Sequence, residues 1–547
     1  MTNELSFEIA GNVVDLLAQR IYYARLVIRG GRIHELHDIG DERPGERFLM
    51  PGFIDAHVHI ESSMLVPTEF ARLAVVHGTV ATVSDPHEIA NVLGADGVWY
   101  MIENAARSPL KFHFGAPSCV PATPFDKAGG VIDARGVGRL LDDDRIKYLS
   151  EMMNFPGVLA DDAEVFAKIA AAKKRQKPVD GHCPGLRGEA LAKYIAAGIS
   201  TDHETRAYDE GLEKLERGMK LLMREGSAAK DFEALHPLID GYSEHCMFCS
   251  DDKHPDELVR GHIDQLVRRG LAHGHDLFQL LRVACVNPAL HYGLDVGLLR
   301  PGDAADLIEV DDLRELSIRR VFIEGRLVAE KGRSLLPRVE PATVNNFSTP
   351  RKSADEFLVP AQSSSIAVIE AIDGQLVTNR ASMQPTVEGG QVVADPKRDL
   401  LKIVLCDRYG GGRPAVAFVK NFGLKRGAIA SSVSHDSHNI IAVGASNGDL
   451  AAAVNKVIDA RGGISVAAGG IAHVLPLPVA GLMSVDDGHQ VAAEYSRLDR
   501  MAKELGSTLS APFMTLSFMA LTVIPQLKLG PEGLFDVGKF AYVPLFE

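Results

Sequence analysis

The sequence predicts an α/β protein whose largest part is a (β/α)8 barrel, accompanied by a small split β domain and a C-terminal α+β domain. Residues 51–296 alternate strand-like and amphipathic helical runs, a pattern typical of βα units around a parallel sheet. Their extent is close to the roughly 250 residues of an ordinary barrel of this kind. Short β-prone pieces broken by glycine turns lie on both sides of this region.

The composition limits the classes of protein to consider. The chain has 547 residues, 46% hydrophobic and 24% charged, which indicates a globular protein of more than one domain. Lysine and arginine number 58 against 72 aspartates and glutamates, a net charge of −14. This balance argues against a nucleic-acid partner and favours a small-molecule substrate.

The cysteines and apolar segments indicate the cellular setting. Six cysteines in so long a chain do not resemble a disulfide framework, so we expect a reducing cytoplasm. The first twelve residues show no basic segment followed by an apolar core, and we expect no secretory signal. Paired glycines and two prolines interrupt the most apolar stretch, residues 464–483, so we expect no membrane span.

The two outer regions complete the predicted organisation. Residues 1–50 and 297–345 contain β-branched segments separated by Gly turns, and we expect them to form the two halves of one small β domain. Residues 346–547 begin with a polar connection and then alternate strands with a helix, NGDLAAAVNKVIDARGG, which ends in two glycines. They are predicted to form the C-terminal α+β domain.

The first predicted barrel strand, within PGFIDAHVHIES (51–62), ends in two histidines one residue apart. Side chains alternate along a strand, so His57 and His59 lie on the same face. Two imidazoles on one face suit a metal ion. The alternative is that one histidine ends the strand and the other is a core residue, since histidine is only intermediate in its tendency to be buried.

Further polar residues interrupt the later strand-like runs, where a (β/α)8 barrel collects its functional side chains. Taken singly, each has a structural explanation such as a turn or a helix terminus, but their order along the barrel favours a shared metal site. They are Asp85, His87 and Glu88 in VSDPHE, Ser118, Glu151 in YLSEMM, His182 in DGHCP, His203 in TDHE, and Asp251 with Asp252 in CSDDKH.

Several of these stretches resemble a known family. PGFIDAHVHIE, the later single histidines, the last aspartate and PGDAADLIEVD are similar to the urease-type amidohydrolase superfamily, which has a metal-dependent hydrolase barrel. VSDPHEIANVLG, PSCVPATPF, LSEMMNFPGV and SVSHDSHNI more narrowly resemble the adenine deaminase family. The resemblance covers almost the whole chain, and SDPHEIANV and SHDSHN are its most specific parts.

The resemblance implies hydrolysis of adenine to hypoxanthine and ammonia, a step of purine salvage, by a hydroxide that two divalent metal ions share. Manganese or iron is expected, with zinc as a third option. His57, His59 and Asp251 would hold one ion, His182 and His203 the other, and Glu151 would bridge them. Asp251 would also be the catalytic group that transfers the proton of the hydroxide to the departing amine.

A carboxylated lysine bridges the metals in many relatives, which makes Lys147 the alternative to Glu151. Lys147 shares the strand parity of Glu151 but lies four residues earlier, toward the wrong end of the barrel. We therefore favour Glu151.

A second set of residues is expected to contact the substrate or to hold the ligands in position. For the VSDPHE residues two alternatives remain: they could bind an extra metal ion, or they could simply form a turn and the N-terminus of a helix. For the two C-terminal histidines, an interdomain or surface position remains the alternative. Glu61, His87 and Glu88 are the candidate donors of a proton to ring nitrogen N1. The full set is Glu61, Asp85, His87, Glu88, Ser118, His435 and His438.

Two rival functions remain open at this stage. The same barrel metals would serve another amidohydrolase reaction, such as opening a cyclic amide or deacetylating an amino sugar, but VSDPHE and SHDSHN would then have no explanation. A catalytically silent scaffold is less favoured, because every predicted ligand position holds a competent residue. The resemblance also implies a homodimer or a larger homo-oligomer.

Overall fold

The computed structural model describes residues 6–547 of the chain. Its N-terminal part is a set of strands with alternating buried and exposed residues, β1 (Ser6–Asp15), β2 (Arg20–Arg29), β3 (Arg32–Asp41) and β4 (Phe48–Pro51). β1 pairs antiparallel with β2 over its whole length and parallel with β4. These strands lead directly into the barrel.

The barrel consists of a five-stranded and a three-stranded parallel sheet that meet at both edges. The Ser200 N–H donates to the Val179 carbonyl at 2.9 Å, and the Asp251 N–H donates to the His57 carbonyl at 2.9 Å, which closes the ring. The predicted (β/α)8 fold is confirmed. In chain order the strands are β5 (Phe53–Val58), β6 (Thr79–Ser84), β7 (Lys111–Ala116), β8 (Ile146–Met152), β9 (Val179–Gly181), β10 (Thr201–Asp202), β11 (Lys220–Arg224) and β12 (Cys246–Cys249).

Helices follow the barrel strands and cover the outside of the ring. Several begin at an aspartate whose side chain accepts a backbone N–H, as Asp162 does for the helix after β8. They are α1 (Pro67–Ala74), α2 (His87–Leu93), α3 (Ala95–Ala105), α4 (Ala134–Leu141), α5 (Phe155–Leu159), α6 (Ala163–Lys174), α7 (Gly188–Ala196), α8 (Tyr208–Glu216), α9 (Phe232–Leu235), α10 (Ile239–Tyr242), α11 (Pro255–Arg260), α12 (Ile263–His273), α13 (Leu277–Leu281) and α14 (Asn287–Tyr292).

After the barrel the chain returns to the first sheet. β13 pairs antiparallel with β4, so four later strands extend the sheet that begins at the N-terminus. These strands are β13 (Leu307–Val310), β14 (Ile318–Ile323), β15 (Arg326–Glu330) and β16 (Arg333–Ser334). The residue limits of the domains stay a prediction.

The C-terminal part is rich in strands, with helices packed on them. Its eight-stranded sheet has the order β18-β17-β22-β21-β24-β23-β25-β26, and α15 packs on its last strands. The elements are β17 (Ile366–Ala371), β18 (Thr378–Met383), β19 (Thr386–Glu388), β20 (Gln391–Val393), β21 (Leu401–Cys406), β22 (Ala415–Lys420), β23 (Ala428–Ser431), β24 (Ile440–Gly444), α15 (Asn447–Asp459), β25 (Gly463–Ala468), β26 (Ile471–Pro476), α16 (Gly488–Glu504), α17 (Pro512–Ser517), β27 (Leu527–Gly530), β28 (Gly533–Asp536) and β29 (Ala541–Tyr542).

The apolar core runs without a break from the barrel into the C-terminal part. One cluster of buried side chains includes Phe53 and Ile54 of β5, Ile403 of β21 and Phe513 of α17. This continuity fixes the C-terminal part against the barrel, because interiors of this kind are close-packed. Among the described residues, no helix is both long and apolar enough to cross a membrane.

Candidate active site

Two histidines at the end of β5 converge on one point inside the barrel. His57 and His59 are buried, and their Nε2 atoms lie 3.1 Å apart. The Asp85 carbonyl lies 3.2 Å from His59 Nδ1, which places the ring proton there and leaves the Nε2 lone pair free. The two rings thus share one face of the strand, as the alternation of side chains predicts. Two ring nitrogens this close need a shared proton or a cation near them.

Glu151, at the end of β8, lies between two sets of histidines. Its Oε1 is 3.2 Å from His59 Nε2. Its Oε2 is 2.6 Å from His182 Nδ1 and 3.2 Å from His203 Nε2, on the loops after β9 and β10. One carboxylate thus faces both sets, which is the geometry of a bridging ligand.

Lys147 lies at the other end of the same strand. It lines a separate cavity with Lys111, Asp295 and Glu324, at the N-terminal ends of β7 and β8. Its ammonium group therefore cannot reach the histidine cluster, in keeping with the choice of Glu151.

Asp251, two residues after β12, completes the group on the side of β5. Its Oδ1 lies 3.1 Å from His59 Nε2 and 3.5 Å from His57 Nε2. Its Oδ2 accepts a 2.8 Å hydrogen bond from Arg224 Nη1. The backbone of Asp251 has a φ of 52°, a left-handed conformation in which aspartate is more often found than most residues. One oxygen is thus held by an arginine and the other faces the histidines.

The charges in this centre favour a bound cation. Burial opposes ionisation of Glu151, but His203 and His182 outweigh it and hold its pKa well below the usual range. Burial likewise opposes ionisation of Asp251, and Arg224 outweighs it, so the pKa of Asp251 is also low. Burial and His203 lower the pKa of His57, which favours its neutral form. Burial opposes protonation of His59, His182 and His203, but the carboxylates around them outweigh it and raise the pKa of each ring, so these imidazoles carry positive charge that a bound cation would replace.

The donor set fits a metal cofactor. In several groups, three or four buried side chains each offer one ligand atom, all within 4.8 Å of one another. Mixed imidazole and carboxylate ligands suit divalent transition metals. The groups are His57 with His59 and Asp251; His57 with Glu151 and His203; His182 with His203 and Glu204; and His59 with Asp85, His87 and Glu151.

Asp85 and His87 lie against the same cluster, at the end of β6 and the start of α2. Asp85 Oδ1 accepts from Ser150 Oγ at 2.8 Å and from the His87 N–H at 3.1 Å. His87 Nδ1 is 3.1 Å from Asp85 Oδ2 and 3.5 Å from Glu151 Oε1. Asp85 therefore supports the His59 ring through its carbonyl and the start of α2 through its carboxylate.

The C-terminal part reaches the barrel centre through one carboxylate. Glu88 of α2 pairs with His435 Nδ1 through one oxygen and with His438 Nε2 through the other, the latter at 2.5 Å. All three side chains are buried. His435 Nε2 is buried without a hydrogen-bond partner among the described residues, and His435 lines the central cavity. The two C-terminal histidines thus belong to the candidate site and are not surface residues.

The other two predicted residues lie just behind the centre. Glu61 Oε1 accepts from the Ile89 N–H at 3.2 Å, Oε2 has no partner, and burial raises the pKa of this carboxyl to about 7. Ser118 Oγ donates to the Glu151 carbonyl at 2.5 Å. Neither lines the central cavity, so they contact its wall and not its interior.

The central cavity has mostly polar walls from the barrel, whereas the C-terminal part contributes an apolar wall together with His435 and Asp436. Its volume, about 20 Å³, corresponds to about one water molecule, and it adjoins a larger cavity of about 420 Å³ along Glu204, Leu376 and Ile524. Phe518 stacks on His435 with ring centroids 4.2 Å apart. The apolar wall consists of Leu376, Phe518, Leu521 and Ile524.

The sequence analysis missed two residues of this site, Arg224 and Glu204, and named Asp252 without giving it a role. Arg224 ends β11, the barrel strand for which no polar residue is predicted, and it pairs with Glu204, Asp231 and Asp251. Glu204 directly follows His203 and lies 3.7 Å from His182 Nδ1. Asp252 accepts a hydrogen bond from Ser62 Oγ and lines the cavity. An arginine at the end of an apolar strand, LLMR, is the signal that could have revealed the first.

Comparison with known proteins is consistent with this geometry. The model of the Amidohydrolase family matches residues 48–328, which include the whole barrel. The chain therefore belongs to the amidohydrolase family, and its buried histidine and carboxylate clusters are consistent with a metal cofactor.

Within that class, the chain belongs to the adenine deaminase family. The model of the Adenine deaminase C-terminal domain matches residues 375–541. The adenine deaminase of Salinibacter ruber is 55% identical over 543 residues, 99% of each chain. Those of Sulfurovum sp. and Methanosarcina mazei are 53% and 51% identical, over 98% of this chain and 99% of their own. The predicted family is confirmed.

Proposed function

We propose that this protein is an adenine deaminase that hydrolyses adenine to hypoxanthine and ammonia in purine salvage. The observation that carries the proposal is the single buried centre of His57, His59, Glu151, His182, His203 and Asp251, in a chain that aligns end to end with adenine deaminases. A small-molecule substrate also agrees with the acidic net charge.

We propose two divalent ions at this centre, manganese or iron before zinc. His57, His59 and Asp251 would hold one, His182 and His203 the other, with Glu151 facing both. Ions bound there would lower the pKa of a shared water enough to supply hydroxide at neutral pH. Expulsion of ammonia from an aromatic ring needs such a nucleophile, since the amine is a poor leaving group.

Asp251 is the group best suited to move the proton. Its Oδ1 faces the centre and its Oδ2 is held by Arg224, so the carboxylate has a fixed orientation. It would accept the proton of the nucleophile and pass it to the departing amine. The same arginine stabilises the anionic form of Asp251 before the first of these steps and after the second.

Among the buried polar groups of the cavity wall, His435 is suited to donate to the purine ring. Burial lowers its pKa, but Glu88 and Asp252 outweigh burial and raise it to about 9, so the ring is protonated. Its unpartnered Nε2 would donate to ring nitrogen N1, where negative charge develops. Glu88 is less suited as a proton donor, because it is ionised. Burial opposes its ionisation, but His435 and His87 outweigh burial and hold its pKa well below the usual range.

The decisive experiment measures ammonia and hypoxanthine from adenine with protein reconstituted with manganese, beside a sample stripped by chelator. We expect conversion only in the reconstituted sample. Without conversion despite bound metal, the adenine assignment is wrong, and cyclic amides and acetylated amino sugars become the substrates to test. The homo-oligomer and the cytoplasmic location stay predictions.

A further inference from the structure

A second group of imidazole and carboxylate side chains lies outside the barrel ring, apart from the catalytic centre. Glu233 in α9, His236 just after it and His273 at the end of α12 each offer one ligand atom, and these atoms lie within 4.8 Å of one another. None of them lines the central cavity. The proposed reaction makes no use of this group.

The side chains already face one another. His273 Nε2 lies 3.1 Å from Glu233 Oε2, and the rings of His236 and His273 stack with centroids 4.0 Å apart. The side chains of Glu233 and His273 are 60% and 38% exposed, so an ion could reach them from solvent without opening the fold. Two imidazoles and a carboxylate are a common set of ligands for a divalent transition metal.

A chain of hydrogen bonds behind His236 prepares it as a ligand. Asp240 Oδ1 lies 2.6 Å from His275 Nδ1, and because an ionised carboxylate only accepts, that nitrogen carries the proton. In neutral His275 the Nε2 atom then accepts from His236 Nδ1, 2.8 Å away. This leaves the Nε2 lone pair of His236 for a ligand. Metal-binding histidines typically donate their other N–H in this way.

Glu233 keeps one carboxylate oxygen for a ligand beside the positively charged Arg269. Arg269 donates to Glu233 Oε1 at 2.6 Å and also pairs with Glu225, so it occupies one oxygen of Glu233 and leaves Oε2 to face His273. Asp240 adds a further carboxylate behind the histidines.

We propose that Glu233, His236 and His273 form a surface site for a zinc-like divalent ion, separate from the catalytic centre. Water would complete the coordination, and His275 with Asp240 would hold the His236 ring. The ion would connect the end of α12 to the segment that follows β11.

The test compares the cobalt content of the full chain with that of His273→Ala, after saturation with Co²⁺ and removal of loose ions. We expect wild type to hold one more ion per chain than His273→Ala, whatever the catalytic centre contains. The variant should keep its adenine turnover. Asp240→Asn should weaken this extra binding about 10- to 100-fold. Glu233→Gln, which keeps the side-chain shape, should also lose the ion.

His37→Ala is the matched control, since His37 is exposed and pairs only with Glu35, at 2.7 Å, in the first sheet. It should hold as much cobalt as wild type. Equal cobalt in wild type and His273→Ala would overturn the proposal. So would a fall in adenine turnover parallel to the lost ion, because the ion would then belong to the catalytic centre.

Discussion

The two walls of the central cavity are held in place by different means. The barrel residues end neighbouring strands of one closed ring, and backbone hydrogen bonds fix them relative to one another. The C-terminal wall comes from Leu376, His435, Asp436 and residues 518–524, which are held against the barrel by side-chain packing in the shared apolar core and by contacts such as Glu88 with His435. The difference predicts that substitutions in the barrel wall alter metal binding and that substitutions in the C-terminal wall alter substrate contact.

The largest effect is expected from Asp251→Asn, which tests the barrel wall. Turnover should be abolished, since general acid–base catalysis alone contributes about 100- to 10,000-fold. The fold should persist, because asparagine tolerates the positive φ of this position and Arg224 keeps Glu204 and Asp231 as partners. Steady-state kinetics and thermal unfolding measure the two outcomes. Normal turnover would refute the assigned role.

Glu151→Gln should lower the metal content, because an amide replaces the carboxylate that faces both sets of histidines. Metal analysis after reconstitution measures the loss, and turnover should fall with it. Lys147→Met is the matched control at the far end of the same strand and should retain full metal content. Full metal content in Glu151→Gln would refute the bridging role.

Glu88→Gln tests the contact between the walls. Hydrogen bonds to charged groups contribute about 1.5–3 kcal/mol, so kcat/KM should fall about 10- to 100-fold. The metal content should stay at the wild-type level, because Glu88 is not among the proposed ligands. An equal loss of metal and activity would mean that the two walls do not act separately.

The same pair gives wild type a distinct dependence of stability on pH. Burial lowers the pKa of His435, but Glu88 outweighs burial and raises it to about 9. This value lies above the value near 6.5 that a histidine has in an unfolded chain. The stabilisation is therefore complete below pH about 6.5 and lost as the pH rises through 9. Thermal unfolding from pH 6 to 10 should show this loss in wild type and a smaller one in Glu88→Gln. Parallel curves would contradict the pairing.

The smallest effect is expected from Lys528→Met, in the support of the apolar wall. Buried Lys528 donates to the carbonyls of Leu376 at 2.7 Å and Phe518 at 3.0 Å, and burial lowers its pKa to about 7. Losing these bonds should cost about 1–3 kcal/mol of stability and raise KM more than it lowers kcat. Exposed Lys539→Met is the control. A fall in kcat alone would count against a positioning role.

The barrel and most of its polar residues could be predicted because regular rules apply there. Strand parity puts His57 and His59 on one face, and the convergence of strand ends brings Glu151, His182, His203 and Asp251 to them. The preference for Glu151 over Lys147 follows from the same rule, since the two lie at opposite ends of β8. These inferences need only local sequence and a closed parallel ring.

The rest depends on contacts between distant parts of the chain. The pairing of Glu88 with His435 and His438 joins residues about 350 positions apart and was not predicted; the family resemblance only made the three residues candidates for the site. Arg224 was missed because its role depends on ion pairs with three carboxylates on other segments of the chain. The periodicity of a sequence predicts local structure, but it does not show which distant side chains form ion pairs.

The ring closes at residues of the proposed metal centre. The Asp251 N–H donates to the His57 carbonyl, and the His59 N–H donates to the Asp251 carbonyl. Separation of the first and last barrel strands would therefore displace ligands and break the ring in one event. Amide hydrogen exchange at residues 57–59 and 251 should be among the slowest in the protein, and loss of activity on heating should coincide with barrel opening.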